Sequence, residues 1–195
     1  MSHAAPALPR LMDESSVERT LRRLSREVGE RHTGLEGVLL VGVLTRGLTI
    51  AQRLAALIGE LGSPCPAVAS VDVTPYRDDR PRPAAPDGPA LRWHLGEGVA
   101  APSIDGATVI LIDDVFYTGR TLRAALAAVL QEGRPARVEF LVLVDRGHRE
   151  LPMRATYVGK NVPTSASQRV VVRLREIDGQ EGVWLASLTS KAGRS

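Results

Sequence analysis

The stretch that most constrains the fold runs from Val109 to Thr121 and reads VILIDDVFYTGRT. Its first four residues are branched and apolar without alternation, which is typical of a strand buried on both faces of a parallel sheet. We predict that this strand ends at Asp113 and Asp114, at the carboxyl edge where open α/β sheets bind their ligands. The pattern therefore favours an α/β fold whose sheet carries two carboxylates at its edge.

Two hydroxyls and a glycine follow the acids. Thr118, Gly119 and Thr121 lie at the first turn of a helix that is predicted to run to about Glu132. Free backbone N–H groups and the positive end of the helix dipole meet at such a turn, which favours a phosphate. Paired carboxylates can accept hydrogen bonds from two vicinal hydroxyls or hold a divalent cation. Together, the acids and the turn predict a site for a ribose 5-phosphate.

Each part of this stretch has another interpretation when it is taken alone. Two aspartates at a strand end also suit an acidic metal pocket or a nucleotide triphosphatase, and Thr-Gly at a helix start is common. The chain contains neither G-x-x-x-x-G-K-[ST] nor G-x-G-x-x-G, the commonest competing nucleotide-binding motifs. The complete order of residues therefore favours the ribose-phosphate interpretation.

Composition limits the classes of protein to consider. A chain of 195 residues with 44% hydrophobic content is consistent with one domain spanning residues 1–195. The net charge of +3 is compatible with phosphate-rich ligands. Cys65 is the only cysteine, so neither a disulfide framework nor a thiolate metal site is expected. No apolar run approaches the ~18 residues of a membrane span, and we expect a soluble, cytoplasmic protein that does not contact a membrane.

The first predicted helix follows a loosely ordered segment at residues 1–12. It begins at a capping box formed by Ser15 and Glu18 and ends near Arg31. One face of this helix is apolar, and the opposite face carries four arginines: Arg19, Arg22, Arg23 and Arg26. This face is either a solvated surface or a surface that recognises phosphates.

Hydrophobic runs predict five further strands: 38–43, 67–73, 138–144, 170–174 and 183–187, of which the last two form an antiparallel addition. A helix is predicted over 48–61. The turn before it, Thr45-Arg46-Gly47, is either a second anion site or an ordinary turn with a surface arginine. Residues 75–107 are rich in proline, glycine and charge, which predicts a flexible flap, with Trp93 and His94 compatible with a short hairpin arm.

Residues 109–121 resemble the phosphoribosyl pyrophosphate (PRPP) signature of the type I phosphoribosyltransferases. Four further stretches resemble the bacterial pyrimidine operon regulators of that family: 45–47, 76–79, 143–152 and 157–165. The similarity covers roughly residues 13–188. It implies the type I phosphoribosyltransferase fold: a central, mainly parallel sheet flanked by helices, a flexible loop at 75–107 and a small hood within about 145–188.

The resemblance also implies a function. Such a protein binds the mRNA leader of pyrimidine genes, responds to UMP and UTP and regulates by attenuation. It also converts uracil and PRPP to UMP and pyrophosphate, with Mg²⁺ carried by PRPP and no protein ligand assigned to the metal. A homodimer or higher homo-oligomer is implied. The alternative is a dedicated salvage phosphoribosyltransferase, acting on uracil or a purine, without RNA regulation.

The resemblance assigns roles residue by residue. Asp113 and Asp114 bind the ribose hydroxyls, and Thr45 and Arg46 hold the pyrophosphate with the help of Arg77. The other substrate-binding residues are Val115, Phe116, Tyr117, Thr118, Gly119, Arg120 and Thr121 in the signature, and Arg146, Val162 and Val170 in the hood over the uracil. The RNA-binding residues are Arg22, Arg23, Arg31, His148, Arg149, Arg154 and Lys160.

Overall fold

The computed structural model of the protein describes residues 8–73 and 91–187. The strands are β1 (Arg10–Met12), β2 (Val38–Val43), β3 (Ala67–Val71), β4 (Leu91–His94), β5 (Thr108–Phe116), β6 (Arg137–Asp145), β7 (Tyr157–Asn161), β8 (Gln168–Arg173) and β9 (Gly182–Ser187). The helices are α1 (Glu14–Arg31), α2 (Arg46–Glu60), α3 (Arg120–Glu132) and α4 (Arg175–Asp178). The strands form a six-stranded sheet, ordered β4-β3-β2-β5-β6-β7, and a three-stranded sheet, ordered β1-β9-β8.

The six-stranded sheet is parallel except at one edge. β2 pairs in parallel with β3 and β5, β5 with β6, and β6 with β7, whereas β4 runs antiparallel to β3. Every residue of β2 is buried, as expected for a strand that is covered on both faces. The predicted central, mainly parallel sheet flanked by helices is confirmed.

Alternate residues of β5 pack into two separate hydrophobic cores. Ile110 and Ile112 lie in the core that α1 and α2 cover, and Val109 and Leu111 lie in the core that α3 covers. This division follows from the two-residue period of a strand. The apolar face of α1 packs in the first core through Val17, Leu21, Leu24 and Val28. None of the helices within residues 8–73 and 91–187 is long and apolar enough to cross a membrane.

The three-stranded sheet, with α4, forms a hood beside the main sheet. β8 and β9 pair antiparallel, which confirms the predicted antiparallel addition. Val172, Leu174 and Val183 join the hydrophobic core that α1 and α2 share with the main sheet. Because β8 also contacts β5, the hood is held next to the strand that carries the two acids.

Two predictions about the amino-terminal region need correction. Residues 1–12 were expected to be loosely ordered, but Arg10–Met12 forms β1, which pairs with β9; residues 1–7 lie outside the described part of the chain. The capping residue of α1 is Asp13 rather than Ser15. Asp13 Oδ1 accepts hydrogen bonds from Ser16 N at 2.8 Å and from the Ser15 hydroxyl at 3.1 Å. A carboxylate is favoured there because the helix dipole stabilises negative charge, and these bonds lower the Asp13 pKa to about 2.

Two edge strands add to those predicted from hydrophobic runs: one agrees with the hairpin arm suggested at Trp93 and His94, and the other was not predicted. Residues 91–94, inside the predicted flap, form β4, in which Trp93 lies opposite Ala69 of β3. The predicted loop 75–107 is therefore too long, and residues 74–90 lie outside the described part of the chain. Residues 157–161, for which no strand was predicted, form β7 at the other edge. An edge strand has a neighbouring strand on one side only and is partly exposed to solvent. Its sequence therefore lacks the continuous apolar run of a central strand.

Candidate active site

Asp113 and Asp114 lie inside β5 and not at its end. The strand continues to Phe116 because its backbone stays paired with β6, where Asp113 lies opposite Val142 and Phe116 lies opposite Asp145. The prediction that the strand ends at the acids is therefore wrong. Both acids nevertheless line a cavity at the carboxyl edge of the sheet.

Each of the two carboxylates accepts a hydrogen bond from the backbone N–H that follows it. Asp113 Oδ1 lies 2.9 Å from Asp114 N, and Asp114 Oδ1 lies 2.9 Å from Val115 N. These bonds hold the side chains against the strand, and Asp113 is only 7% exposed. A carboxylate offers about four lone-pair sites, so it can accept several hydrogen bonds at once. The pair has the acceptor chemistry that a vicinal diol requires.

The turn between β5 and α3 has the geometry of an anion site. Gly119 precedes the helix with φ +97°, a left-handed conformation that glycine adopts without a steric penalty. The Thr118 side chain is buried, and its Oγ1 accepts a hydrogen bond from Arg120 N at 3.3 Å. α3 ends at Glu132, as predicted. The N–H groups of the first turn of α3 and the helix dipole favour a phosphate at this position.

A segment that follows β6, residues 146–151, holds this turn in place; we call it the latch segment. The backbone N–H groups of Glu150 and Leu151 donate to Thr118 O at 3.0 and 3.2 Å. The Glu150 carboxylate also accepts a hydrogen bond from Arg120 Nε at 2.8 Å. The turn at residues 117–119, which we call the phosphate turn, is therefore fixed by residues about 30 positions further along the chain.

Arg149 provides the side-chain part of this connection. Its guanidinium donates to Tyr117 O at 2.6 Å and forms an ion pair with Asp145. Its Cζ lies 3.3 Å from the centroid of the Phe116 ring. Arg149, expected on the RNA-binding surface, thus lies against the residues that lead into the phosphate turn.

Arg46 reaches the same region from the start of α2. The helix begins at Arg46 rather than at residue 48, and the Leu44–Thr45 peptide bond before it is cis. A Cβ on Gly47 would lie 2.3 Å from Ile112 O. Only glycine therefore permits the helix start to approach the acid-bearing strand this closely.

Arg146 forms part of the cavity wall at the end of β6. Its side chain donates to Thr164 Oγ1 at 3.0 Å and to Gln168 O at 2.6 Å. Its Cζ lies 3.9 Å from the centroid of the Tyr117 ring. Burial lowers the pKa of the Arg146 guanidinium. These contacts connect the end of β6 to Thr164, to the start of β8 and to the phosphate turn.

The cavity enclosed by these elements has a volume of about 300 Å³, at the lower end of the range for small-molecule sites. It brings together ten of the residues predicted from the sequence to bind substrate: Arg46, Asp113, Asp114, Val115, Phe116, Tyr117, Gly119, Thr121, Arg146 and Val170. Residues from four separate stretches of the chain therefore converge on one site.

Some predicted and observed site residues differ. The cavity is also lined by four residues that the sequence did not single out: Leu122, Arg169, Val171 and Val172. Three of these, Arg169, Val171 and Val172, belong to β8. Val170 was the only residue of that strand predicted to bind substrate. The predicted substrate-binding residues that do not line the cavity are Thr45, Thr118, Arg120 and Val162. Arg77 lies outside the described residues.

Three of the predicted RNA-binding residues lie along β7, the edge strand of the main sheet. Arg23 donates hydrogen bonds to two carbonyl oxygens of β7. Arg31 lies with its Cζ 5.7 Å from the centroid of the Tyr157 ring in the same strand. Lys160 belongs to β7 itself. These three exposed cations therefore share one edge of the molecule.

The other predicted RNA-binding residues are distributed differently. Arg22 pairs with Glu18 of its own helix at 3.2 Å and with Glu60 of α2 at 3.1 Å. His148 is exposed, with its Nε2 2.6 Å from Thr164 O. Arg154 is exposed between β6 and β7. The predicted set is thus not one continuous group in this chain.

The two acids of β5 are also candidate ligands for a divalent metal ion. Among residues 8–73 and 91–187, no group of three His, Cys, Asp or Glu side chains could hold a metal ion. Mg²⁺, however, is usually bound through one or two carboxylates together with substrate phosphates. Asp113 and Asp114 at the cavity wall fit a site of that kind. The donor set suits a divalent cation that arrives with an anionic ligand.

A family model described as the phosphoribosyl transferase domain matches residues 10–176. Bifunctional protein PyrR of Chloroflexus aurantiacus is 48% identical over 173 residues, which cover 89% of this chain and 92% of that protein. Bifunctional protein PyrR of Roseiflexus sp. is 45% identical over 184 residues, 94% of this chain and 97% of that protein. The Enterococcus faecalis protein of the same name is 44% identical over 176 residues, 90% of this chain and 95% of that protein.

Solved structures with the same fold are more distant in sequence. The hypoxanthine phosphoribosyltransferase of Trypanosoma cruzi has a TM-score of 0.66 at 18% identity, covering 93% of this chain and 97% of its own. The Staphylococcus aureus hypoxanthine phosphoribosyltransferase has a TM-score of 0.65 at 19% identity, covering 95% and 94%. At these identities the similarity establishes the fold alone, which is the type I phosphoribosyltransferase fold predicted from the sequence.

Proposed function

Because the chain belongs to the phosphoribosyl transferase domain family and, within it, to the PyrR proteins, we propose that it is a bifunctional protein. It regulates pyrimidine biosynthesis genes by binding their mRNA leader in response to UMP, and it converts uracil and PRPP to UMP and pyrophosphate. The observation that carries this proposal is the cavity in which the two acids, the phosphate turn, Arg46 and hood strand β8 meet.

PRPP binds with its ribose on the acids and its 5-phosphate on the turn. Asp113 and Asp114 accept hydrogen bonds from the two ribose hydroxyls, a role supported by the backbone bonds that hold both carboxylates. Residues 117–121 surround the phosphate, supported by the left-handed Gly119 and by the helix dipole at the start of α3. The latch segment keeps this turn in the geometry that the phosphate needs.

Arg46, with Thr45 and Arg77, stabilises the departing pyrophosphate. Transfer of the ribosyl group passes through an oxocarbenium-like state, so fixed positive charge on the leaving group lowers the barrier. Mg²⁺ bound with PRPP would be held by Asp113 and Asp114 and would neutralise part of the pyrophosphate charge. Exclusion of water from the cavity protects the reactive ribosyl centre from hydrolysis.

Uracil binds on the hood side of the cavity. Val170, Val171 and Val172 of β8 supply an apolar wall, and Arg146 forms the adjoining wall through its contacts with Thr164 and Gln168. Val162 supports this wall from the core, where its backbone N–H donates to Asp145 O at 2.8 Å. This arrangement orients a planar base over the ribose, although the uracil side of the cavity has no sequence motif of its own.

RNA binds to cations that do not line the cavity: Arg22, Arg23, Arg31, His148, Arg149, Arg154 and Lys160. Arginine and lysine side chains neutralise RNA phosphates, which makes such binding depend on salt. Aromatic residues make up 4% of the chain, so recognition relies on phosphates and base edges of a structured loop rather than on a stacking platform.

The test is filter binding of the purified protein to its pyrimidine-operon leader RNA, with and without UMP, at two salt concentrations. We expect UMP to tighten binding and affinity to fall steeply between about 50 and about 200 mM salt. Weak binding that is indifferent to UMP would contradict the regulatory function and favour the alternative, a dedicated salvage phosphoribosyltransferase. Formation of UMP from uracil and PRPP, measured on the same preparation, tests the enzymatic half separately.

A further inference from the structure

An ion pair ties Arg46 to the hood. Arg46 Nη2 donates to Asp178 Oδ1 at 2.7 Å. Asp178 is the last residue of α4, which connects β8 to β9. Because α2 and β8 both contribute to the wall of the cavity, this pair joins two sides of the site through a residue outside the cavity lining.

Asp178 is itself held in one orientation. Its second carboxylate oxygen, Oδ2, accepts a hydrogen bond from Leu174 N at 2.9 Å. Its own backbone N–H donates to Leu174 O at 2.8 Å, and the Leu174 side chain is fully buried in the core. Both oxygens of Asp178 are therefore engaged, one by the hood backbone and one by Arg46. The carboxylate is a fixed acceptor and not a mobile surface group.

Arg46 has a donor that this contact leaves unused. Within the described part of the chain, Arg46 Nε is a buried side-chain nitrogen without a hydrogen-bond partner. Leaving a buried donor unpaired is unfavourable, so the site gains when an acceptor reaches it. The backbone beneath it cannot shift easily, because Gly47 packs directly on β5. Because Arg46 lines the cavity, its guanidinium is the group that an oxygen of an anionic ligand can meet there.

We propose that Asp178 is a positioning residue that holds the Arg46 guanidinium at the cavity wall, ready for an oxygen of the pyrophosphate group of PRPP. This inference rests on the proposed function. A free arginine side chain has several rotatable bonds, and fixing it before the ligand arrives removes part of the entropy loss on binding. Asp178 thus acts on PRPP through Arg46, and uracil binding does not depend on it.

The test compares two Asp178 variants with a matched control on the same helix. Glu176 of α4 pairs with Arg53 of α2 at 2.7 Å, so Glu176→Gln removes another ion pair between these helices without touching Arg46. Isothermal titration measures PRPP binding with Mg²⁺, and steady-state kinetics give the KM values for PRPP and uracil. We expect Asp178→Ala to raise the Kd for PRPP about tenfold, as loss of one charge-assisted hydrogen bond would. The KM for uracil should stay unchanged, and Glu176→Gln should bind PRPP like the wild type.

Asp178→Asn covers the case in which the alanine variant does not fold. The asparagine keeps an acceptor for Leu174 N but loses the charge that binds Arg46, so PRPP binding should weaken by a smaller factor. Thermal unfolding of each variant reports its folding independently of ligand.

A double-variant comparison decides whether Asp178 acts through Arg46. In the Arg46→Ala background, adding Asp178→Ala should not weaken PRPP binding further. A further loss of the same size would overturn the proposal, as would equal losses of PRPP and uracil affinity. Wild-type protein that binds PRPP but forms no UMP would refute the enzymatic proposal while the Asp178 comparison remained decisive. Wild-type protein that does not bind PRPP would overturn both.

Discussion

Glu139 of β6 is 4% exposed and joins three elements. Its carboxylate accepts a hydrogen bond from the Tyr157 hydroxyl at 2.7 Å and lies 2.9 Å from His32 Nε2, and Arg31 Nε lies 3.4 Å away. Burial raises the Glu139 pKa, but the tyrosine, the histidine and the arginine together outweigh burial and lower it. The carboxylate therefore connects the end of α1 to β6 and β7, and it holds Arg31 on the predicted RNA-binding edge.

Replacing this carboxylate should destabilise the protein at neutral pH. Glu139→Gln removes charge-assisted hydrogen bonds worth about 2 kcal/mol, which lowers Tm by about 4–8 °C in a protein of this size. Since the folded pKa lies below the ordinary value of 4.5, this contribution is complete above that pH and is lost as the pH falls below it. Calorimetry at pH 7 and below about 4.5 should show the difference between variant and wild type shrinking in acid. The exposed Glu18→Gln serves as the control, and a pH-independent difference would contradict the argument.

The two acids of β5 carry the sharpest prediction about activity. Replacing both, Asp113→Asn with Asp114→Asn, removes the charged acceptors for the ribose hydroxyls but keeps their shape and the backbone hydrogen bonds. Two lost charge-assisted bonds predict a fall of about a hundredfold or more in UMP formation. The RNA affinity should also stop responding to UMP. Glu132→Gln, at the exposed end of α3, controls for a general effect of charge, and retained activity would refute the ribose assignment.

At the scale of elements, the phosphate turn depends on a neighbour that is distant in sequence. The latch segment supplies three hydrogen bonds to carbonyl oxygens of the turn between β5 and α3, from Glu150, Leu151 and Arg149. Arg149 therefore contributes to the geometry of the phosphate site as well as to the predicted RNA surface. A substitution of Arg149 is therefore expected to affect both ribosyl transfer and RNA binding.

Arg149→Ala should accordingly change catalysis as well as RNA binding. Without the guanidinium, the carbonyl of Tyr117 and the carboxylate of Asp145 lose their common partner, and the turn becomes looser. We expect the KM for PRPP to rise by about three- to tenfold, from a loss of about 1 kcal/mol. Arg154→Ala, which removes an exposed arginine after the latch segment, should leave this KM unchanged. An unaltered KM in Arg149→Ala would show that the turn keeps its shape without the latch arginine.

At the scale of the whole molecule, the active-site cavity and the cations along β7 are separate surfaces. The cavity opens at the carboxyl edge of the sheet, whereas Arg23, Arg31 and Lys160 follow its outer strand. Such a separation allows RNA binding and ribosyl transfer to be altered independently, provided that the substituted residues do not touch the phosphate turn.

Removing exposed cations should weaken RNA binding without affecting catalysis. Arg154→Gln with Lys160→Gln takes away two candidate phosphate contacts. We expect the slope of log affinity against log salt to become shallower by about 1.4–1.8, given about 0.7–0.9 per phosphate contact. UMP formation should match the wild type. Arg134→Gln, an exposed arginine outside the predicted set, is the matched control, and an unchanged salt slope would remove these two residues from the RNA-binding surface.

The local sequence pattern was sufficient to predict the centre of the sheet and the part of the active site formed by the acids and the phosphate turn. The strand over 38–43 and the end of α3 agree with their predictions because burial on both faces and a glycine after a helix leave clear local signals. The acids and the phosphate turn were recognisable because their chemistry lies within one short stretch. The helix cap at Asp13 was misassigned because several neighbouring residues could all serve as caps.

The remaining features depend on contacts between residues that are far apart in the chain. β1, β4 and β7 form by pairing at sheet edges, where a half-exposed strand shows no distinctive pattern. The β8 wall of the cavity, the Arg149 contacts and the Arg46–Asp178 pair require the hood and the latch segment to be folded onto the sheet. Local periodicity and motif chemistry thus define the sheet, the helices and the ribose-phosphate motif. The packing of the hood against the sheet sets which side chains complete the site, because no short stretch of sequence encodes a distance between remote residues.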